Sequence, residues 1–167
     1  MKTLLLMRHA KSSWKDENLS DIERPLKKRG VKDAKLIAKV IKENNLIPDA
    51  IISSPAVRTK ETVKVLKKEL DFNGKEIVAE QLYMGEPESF VEALKSVNNK
   101  HNTVLVVAHN PGLEAYLQIL GGEIEAVPTG GLGYLVLVLE DWANISLETM
   151  GDLVGFWKPK DLREDKK

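Results

Sequence analysis

An apolar run of strand length near the N-terminus, Thr3-Leu4-Leu5-Leu6-Met7, leads without a break into Arg8 and His9. Residues that are apolar on both faces are typical of a central strand covered by helices on both sides. Such a strand delivers the polar pair that follows it to one edge of a sheet, and in open α/β sheets that edge is where ligands bind. An Arg-His pair alone recurs by chance, so its meaning depends on what the rest of the chain supplies.

The composition is that of one globular domain. The chain has 167 residues, of which 43% are apolar and 30% charged, and this is long enough for one proper core. Its 25 basic and 25 acidic residues give a formal net charge of zero, which provides no general attraction to nucleic acid or to a membrane. The absence of cysteine excludes disulfides and thiolate nucleophiles.

The apolar runs are too short for a membrane protein. None approaches the ~20 residues that a membrane helix requires, and the N-terminal run is too short for the apolar region of a signal peptide. We therefore expect a cytoplasmic protein that has neither nucleic acid nor membrane as a partner.

Strand-like and helix-like segments alternate along the chain. We predict strands at 3–7, 50–52, 76–79 and 103–108, helices at 31–44, 55–70, 87–97 and 111–120, and late strands at 132–139 and 145–150. Serine or asparagine followed by proline should begin the second and fourth helices, and Gly121-Gly122 should end the fourth. This order predicts an α/β fold, a three-layer α/β/α sandwich with a mostly parallel central sheet and helices on both faces. The late pair would add an antiparallel edge.

The predicted domain covers residues 1–157. Residues 158–167 follow as a charged C-terminal tail that contains Pro159 and should fray.

Three predicted strands are each followed at once by residues suited to binding an anion. Arg8 and His9 follow the first, a serine pair and then Arg58 follow the second, and His109 with Asn110 follows the fourth. Parallel strands end at one edge of a sheet, so these side chains should converge beside two helix N-termini, whose free amides favour anions. The predicted ligand is a phosphoryl group.

The residue types fit phosphoryl transfer. Planar guanidinium groups match the oxygens over which the transferred group spreads its charge. A neutral imidazole nitrogen is a competent nucleophile, and nearby arginines keep it neutral by lowering its pKa. The resulting phosphohistidine would split the reaction into two steps. No group of histidines or carboxylates has metal-ligand spacing, so we expect no metal and no cofactor.

Four segments resemble the motifs of the histidine phosphatase superfamily. They are residues 6–14 around Arg8-His9, 21–30 with Arg24-Pro25-Leu26, 53–62 with Arg58, and 106–112 with His109. Their order and spacing agree over roughly residues 3–139, and the short length with the Ala-His-Asn-Pro-Gly variant looks most like the bacterial SixA-type phosphohistidine phosphatases. The resemblance implies a phosphoglycerate mutase-like fold, with His9 as the phosphorylated nucleophile and Arg8, Arg58 and His109 around the phosphoryl group.

The chain also departs from the family pattern. Ala10 stands where the superfamily usually has glycine, a small-for-small exchange that should preserve the turn. Lys15 falls about where the phosphoglycerate mutases carry an asparagine in the phosphate pocket, and we predict Ser12, Lys15 and Asn110 as phosphate- or substrate-binding residues. Larger members carry a carboxylate general acid in an inserted region that is nearly absent here. Only Glu80 occupies a comparable place, and it is the candidate general acid.

A weak general acid favours one class of substrate. An alkoxide leaving group needs a proton donor, whereas the nitrogen of a phosphohistidine or another phosphoramidate is itself a protonatable base. We therefore predict a metal-independent phosphatase that acts on a phosphorylated protein, such as a phosphohistidine carrier, or on a small phosphorylated substrate. The alternatives are a small-molecule phosphomonoesterase or mutase of the same superfamily, and a phosphate-binding domain without activity.

Overall fold

The computed structural model describes residues 1–121 and 123–164, and within them six strands form one sheet. The strands are β1 (Lys2–Arg8), β2 (Ala50–Ser53), β3 (Lys75–Val78), β4 (Thr103–Ala108), β5 (Leu132–Leu137) and β6 (Gly151–Trp157). Their order in the sheet is β3-β2-β4-β1-β5-β6. Strands β1 to β4 run parallel, and β5 is antiparallel to both of its neighbours. The mostly parallel sheet with an antiparallel late pair is confirmed.

Helices cover both faces of the sheet. They are α1 (Lys28–Glu43), α2 (Val57–Leu70), α3 (Pro87–Lys95), α4 (Gly112–Gly121) and α5 (Pro159–Glu164). Leu5 and Met7 of β1 pack in one core with residues of α1 and α2, while Leu4 and Leu6 pack in a second core with residues of α3 and α4. Among the described residues, no helix has the length and apolar character needed to cross a bilayer. The predicted three-layer sandwich is confirmed.

Parallel pairing places three strand ends at the same level. Arg8 at the end of β1 lies opposite Ala108 at the end of β4, and Ser53 at the end of β2 lies opposite Val107. The chain therefore leaves β1, β2 and β4 at the same side of the sheet, at the carboxyl ends of these strands. The residues that follow the three strands are therefore neighbours in space although they are far apart in sequence.

The last strand is not where the sequence pattern put it, and the prediction of a strand at 145–150 is wrong. After β5 the chain forms a short 3-10 turn, Trp142–Asn144, whose tryptophan is fully buried, and β6 begins only at Gly151. Strand β6 contains two glycines, and because glycine is a weak strand former, the sequence pattern of this strand is hard to recognise. At Gly155 a Cβ would lie 2.6 Å from the ring of Trp157, so this strand requires glycine there for packing.

Two helix starts also differ from expectation. Helix α2 begins at Val57, two residues after the predicted Pro55, and its cap residue is Ala56. Helix α4 begins at Gly112, and Asn110 Oδ1 accepts a hydrogen bond from the backbone N–H of Glu114 at 3.2 Å, as a capping side chain does. The predicted stop at Gly121-Gly122 includes Gly122, which lies outside the described residues.

The segment after Trp157 does not fray over residues 159–163. It forms α5, where Arg163 pairs with the buried carboxylate of Asp33 on α1 and Leu162 packs against the core beneath α1. The prediction that this segment frays depended on its high charge. The apolar and ionic contacts to α1 stabilise the helix in spite of that charge. Residues 165–167 lie outside the described residues, and the division into a domain and a tail stays a prediction.

Candidate active site

The residues that follow β1, β2 and β4 surround a cavity of about 260 Å³. Arg8, His9, Arg58 and His109 all line it, as the convergence of parallel strand ends predicts. The two imidazole rings face each other with their centroids 5.2 Å apart. The other lining residues are Lys11, Ser12, Trp14, Arg24, Asn110 and Thr129. Six of the ten lining residues are therefore arginine, lysine or histidine, a composition suited to binding an anion.

His9 is held in one orientation by its own chain. Its Nδ1 lies 2.8 Å from the carbonyl oxygen of Ala10. A carbonyl oxygen only accepts, so Nδ1 carries the proton and Nε2 keeps its lone pair. Burial lowers the pKa of His9 to about 3, with further lowering by the positive charge of His109, Arg58 and Arg8. At neutral pH this ring is therefore uncharged, and Nε2 is its unprotonated nitrogen.

Arg58 faces Nε2 of His9 directly. Its Nε–H donates to His9 Nε2 at 3.3 Å, while Nη1 donates to the carbonyl of Asp21 at 2.7 Å and Nη2 to the Asp21 carboxylate at 3.0 Å. Its side chain is only 7% exposed. The guanidinium is thus fixed by Asp21 at a point where a group bound to Nε2 would meet it.

Asp21 connects Arg58 to two further side chains. Its carboxylate accepts a hydrogen bond from the hydroxyl of Tyr83 at 2.6 Å and another from Arg24 Nε at 3.2 Å. The bond from Tyr83, followed by those from the arginines, lowers the pKa of Asp21 to about 2. Asp21 is therefore a permanent carboxylate near neutral pH, and it positions Arg58 rather than supplying a proton.

His109 has a directed set of hydrogen bonds of its own. Arg58 Nη2 lies 3.4 Å from its Nδ1, and because a guanidinium only donates, Nδ1 is the accepting nitrogen. Its Nε2–H then donates to the hydroxyl of Ser54 at 2.6 Å. Ser54 in turn lies 2.8 Å from the hydroxyl of Thr59, which donates to the carbonyl of Ala56. Burial and the charge of Arg58 lower the pKa of His109 to about 4.

Arg8 brings a second guanidinium to the cavity. Its Nη1 donates to the carbonyl of Val127 at 3.1 Å. Its Nε is buried and has no hydrogen-bond partner among the described residues. A buried donor without an acceptor is costly, so this group is suited to an anion that supplies one.

A third arginine, Arg24, lines the cavity on the side of the loop after β1. It is 7% exposed, its Nη1 donates to the Ser12 hydroxyl at 3.1 Å, and its guanidinium lies 3.4 Å from the centroid of the Trp14 ring. The Trp14 side of this stack faces solvent, with 71% of the residue exposed. Arg24 thus links the rim of the cavity to Ser12 and to Asp21.

The remaining predicted site residues fall into two groups. Ser12 and Asn110 line the cavity, but the Asn110 amide is engaged, with Nδ2 donating to the carbonyl of Val127 at 3.0 Å. Lys15 and Glu80 are exposed and do not line it. The roles assigned to these four residues stay predictions.

Four residues of the site had no predicted role: Asp21, Arg24, Ser54 and Tyr83. Arg24 and Asp21 lie in the second motif segment and Ser54 in the third, so the resemblance marks their segments without giving them a function. Tyr83 follows the edge strand, and its ring edge contacts His109 with centroids 5.6 Å apart. No local pattern signals this contact.

The fold and the motifs agree with known proteins. The chain is 32% identical over 165 residues to an uncharacterised protein of Mycobacterium tuberculosis, a match that covers 92% of this chain and 100% of that one. It is 32% identical over 130 residues to an uncharacterised chloroplastic protein of Arabidopsis thaliana, covering 72% of this chain and 60% of the plant protein's length.

Structural similarity extends over nearly the whole chain. A protein from Agrobacterium tumefaciens that has been proposed to be the phosphohistidine phosphatase SixA superposes with a TM-score of 0.81 at 25% identity, covering 95% of this chain and 98% of that one. The family model of the histidine phosphatase superfamily, branch 1, matches residues 4–82, which include Arg8, His9 and Arg58. The chain therefore belongs to the histidine phosphatase superfamily and is SixA-like in its fold.

Proposed function

We propose that this chain is a phosphatase that works through a phosphohistidine on His9 and acts on phosphohistidine or a similar phosphoramidate, carried by a protein. One observation carries the proposal. The hydrogen bond from His9 Nδ1 to Ala10 leaves a neutral Nε2 lone pair inside the cavity, at 3.3 Å from a fixed guanidinium. This is the arrangement that nucleophilic catalysis at phosphorus requires.

In the first step, Nε2 attacks phosphorus and an N–P bond forms as the bond to the leaving nitrogen breaks. The leaving nitrogen keeps the electron pair and takes a proton from solvent. Arg8 and Arg58 stabilise the charge on the phosphoryl oxygens, since both donate from fixed positions beside the cavity.

His109 responds to the arrival of the phosphoryl group. A dianion close to a histidine raises the pKa of its ring, because it favours the charged form. His109 Nδ1 then takes up a proton and becomes a donor to a phosphoryl oxygen, while Nε2–H stays bound to Ser54. This gives the oxygens a third cationic partner only when phosphate is present.

In the second step, water attacks phosphorus and the bond to His9 Nε2 breaks. The electron pair returns to Nε2, and both protons of the water leave with the released dihydrogen phosphate. Because the pKa of His9 is about 3, the freed nitrogen stays unprotonated and is ready for another cycle.

The surroundings of the cavity support a phosphoramidate substrate. In the described part of the chain, none of the residues that line the cavity is an aspartate or a glutamate. The nearby Asp21 is held ionised by its hydrogen bonds. Glu80 is exposed and outside the lining. A leaving nitrogen that takes its own proton avoids the need for such a donor, whereas an alkoxide would lose about 10²–10⁴ in rate without one.

The experiment that tests the mechanism is phosphoryl trapping. The protein is mixed with a phosphohistidine peptide labelled with ³²P and quenched within milliseconds. We expect a protein-bound label that is stable in alkali, labile in acid and absent from His9→Ala, with no effect of chelator. Label of the same kind in His9→Ala would contradict the assignment of the nucleophile.

A second arm tests the substrate class. Steady-state kcat/KM is compared between phosphohistidine peptides and a panel of alkyl phosphates and sugar phosphates. We expect a preference of at least about tenfold for the phosphohistidine peptides, given the missing acid. Equal values across the panel would leave the phosphatase mechanism intact and contradict the preference for phosphoramidates.

A further inference from the structure

A second cavity lies beside the catalytic one, and its lining is basic. It has a volume of about 300 Å³ and shares Lys11 and Thr129 with the catalytic cavity. Five cationic side chains line it, contributed by the loop after β1, by α1 and by the C-terminal segment: Lys11, Arg29, Lys158, Lys160 and Arg163. Asp33 is its one acidic lining residue. We call this cavity the basic cleft.

The charges of the basic cleft do not cancel. Asp33 is buried and paired with Arg163, and Lys158 lies 3.9 Å from Asp161 at the surface. Within residues 1–121 and 123–163, no salt bridge is formed with Lys11 or Arg29. In a protein with a formal net charge of zero, this local excess of positive charge must be balanced elsewhere on the molecule. The cleft is therefore a specific anion-attracting surface.

The wall of the basic cleft is fixed relative to His9. Pro159, which begins α5, packs against Gly130, where a Cβ would lie only 2.8 Å from the proline ring. Gly130 has φ = +78°, a conformation that favours glycine, and its N–H donates to the carbonyl of His9 at 2.9 Å. The salt bridge between Arg163 and Asp33 holds the other end of α5 on α1. The segment that forms this wall of the cleft is therefore packed directly against the chain that carries His9.

We propose that the basic cleft binds a second anionic group, a phosphate or a carboxylate, of the same substrate whose phosphoryl group reaches His9. This inference is based on the proposed function and adds a charge requirement to it. Lys11 and Thr129 line both cavities, so the two lie side by side and within reach of one extended substrate. The anion has two sources of the same chemistry: an acidic side chain beside the phosphorylated residue of a protein, or a second phosphate of a small molecule.

Binding without turnover tests the subsite independently of catalysis. Calorimetry with alkyl phosphonates and with α,ω-alkane bisphosphonates of increasing length is carried out on His9→Ala, which cannot be phosphorylated at that position. We expect one bisphosphonate length to bind best. The double variant Lys158→Ala/Lys160→Ala is made in the same His9→Ala background. We expect it to lower the affinity for the bisphosphonate by about fivefold relative to the affinity for the monophosphonate, a typical loss for two exposed ion pairs.

A matched control removes the same charge elsewhere. Lys64 and Lys68 are exposed on α2 and line neither the catalytic cavity nor the basic cleft. The double variant Lys64→Ala/Lys68→Ala should leave the ratio of bisphosphonate to monophosphonate affinity at its starting value. An equal loss in both double variants would show a general charge effect and overturn the subsite.

Turnover then distinguishes the two sources of the anion. For the enzyme with His9, kcat/KM is measured on phosphohistidine peptides with glutamate or with alanine beside the phosphorylated residue, and on bisphosphates and monophosphates of matched chain length. A glutamate preference that falls about fivefold in Lys158→Ala/Lys160→Ala supports a protein substrate, and a bisphosphate preference that falls likewise supports a small molecule. The inference is wrong if the enzyme prefers neither the glutamate peptides nor the bisphosphates and if the bisphosphonates bind no better than the monophosphonates. This outcome is independent of whether the enzyme hydrolyses the peptides. If bisphosphonates bind as expected and no substrate is hydrolysed, the subsite stands and the proposed function fails.

Discussion

Asp21 holds Arg58 through both its backbone and its side chain. The carbonyl of Asp21 accepts Nη1–H at 2.7 Å and its carboxylate accepts Nη2–H at 3.0 Å, which leaves Nε–H directed at His9 Nε2, 3.3 Å away. Two of the three guanidinium nitrogens are thus fixed before substrate arrives. A guanidinium that is already in place stabilises a developing charge without reorganisation during the reaction.

Replacing Asp21 should therefore reduce activity through Arg58. In Asp21→Asn the backbone contact remains but the charge that holds Nη2 is lost, and we expect kcat/KM to fall about tenfold, as for the loss of one charge-assisted hydrogen bond. Tyr83→Phe, which removes only the partner of Asp21, should have a smaller effect. Steady-state kinetics on a phosphohistidine peptide provide the measurement, with Glu43→Gln on the exposed end of α1 as the matched control. Full activity in Asp21→Asn would mean that Arg58 needs no support from it.

The hydrogen bond between Ser54 and His109 permits a closely matched pair of variants. In Ser54→Ala, His109 Nε2 loses its 2.6 Å partner, so the ring is no longer held with Nδ1 toward Arg58. We expect kcat to fall by about tenfold with a smaller change in KM, because the contact to the phosphoryl oxygens matters most in the transition state.

Ser53 provides the control for that variant. It is the adjacent residue, it is equally buried, and its hydroxyl has no hydrogen-bond partner within the described chain. Ser53→Ala should therefore keep both its activity and its melting temperature. A comparable loss of kcat in the two variants would assign the effect to packing below the site and not to the orientation of His109.

Much of the geometry of the candidate site follows from the sequence because it depends on local patterns. Four consecutive apolar residues made β1 recognisable, and the parallel sheet then placed Arg58 and His109 beside His9. These predictions required only strand polarity and the position of each strand end.

The supporting residues could not be found in that way. The contact from Asp21 to Arg58 joins residues 37 positions apart, with α1 and β2 between them, and the polar segment that carries Asp21 has no periodicity. Ser54 looked like a helix cap, and besides its local bonds its hydroxyl contacts His109, which is 55 residues away. Strand β6 was missed because packing against Trp157 requires a glycine within it, at Gly155, where strand propensity is low. For Asp21 and Ser54 a long-range contact decides the role of the side chain, and no local pattern marks such a contact.

The buried histidines make stability depend on pH in a defined window. In the folded protein, His9 and His109 have pKa values of about 3 and about 4, both below the ordinary histidine value of 6.5. Below pH 6.5 the unfolded chain takes up protons at these positions and the folded protein does not. Stability is therefore greatest above pH 6.5 and falls as the pH is lowered toward 4, by about 1 kcal/mol per pH unit for each ring.

Urea unfolding at pH 7, 6 and 5 measures this dependence. We expect His9→Gln to lose stability with falling pH about half as steeply as the wild type, since one of the two buried rings is gone. Saturating inorganic phosphate should also flatten the dependence for the wild type, because a bound anion favours protonated His109 in the folded state. Identical slopes for the wild type and His9→Gln would show that His9 is accessible to protons in the folded protein.

Arg24 tests whether the rim of the cavity contributes to binding. Its guanidinium donates to Ser12 and Asp21 and stacks on Trp14. Arg24→Lys keeps the charge but cannot make the stacked and forked contacts together, so we expect KM for a phosphohistidine peptide to rise about fivefold with kcat nearly retained. Trp14→Ala removes only the exposed aromatic partner, a contact worth about 0.5–1 kcal/mol, and should raise KM about two- to fivefold. Trp14→Phe should preserve most of this contact.

Calorimetric melting of each variant separates the rise in KM from a loss of stability. A KM increase that persists in a fully folded Arg24→Lys supports the binding role. A fall in kcat with unchanged KM would instead place Arg24 with Asp21 among the residues that position Arg58.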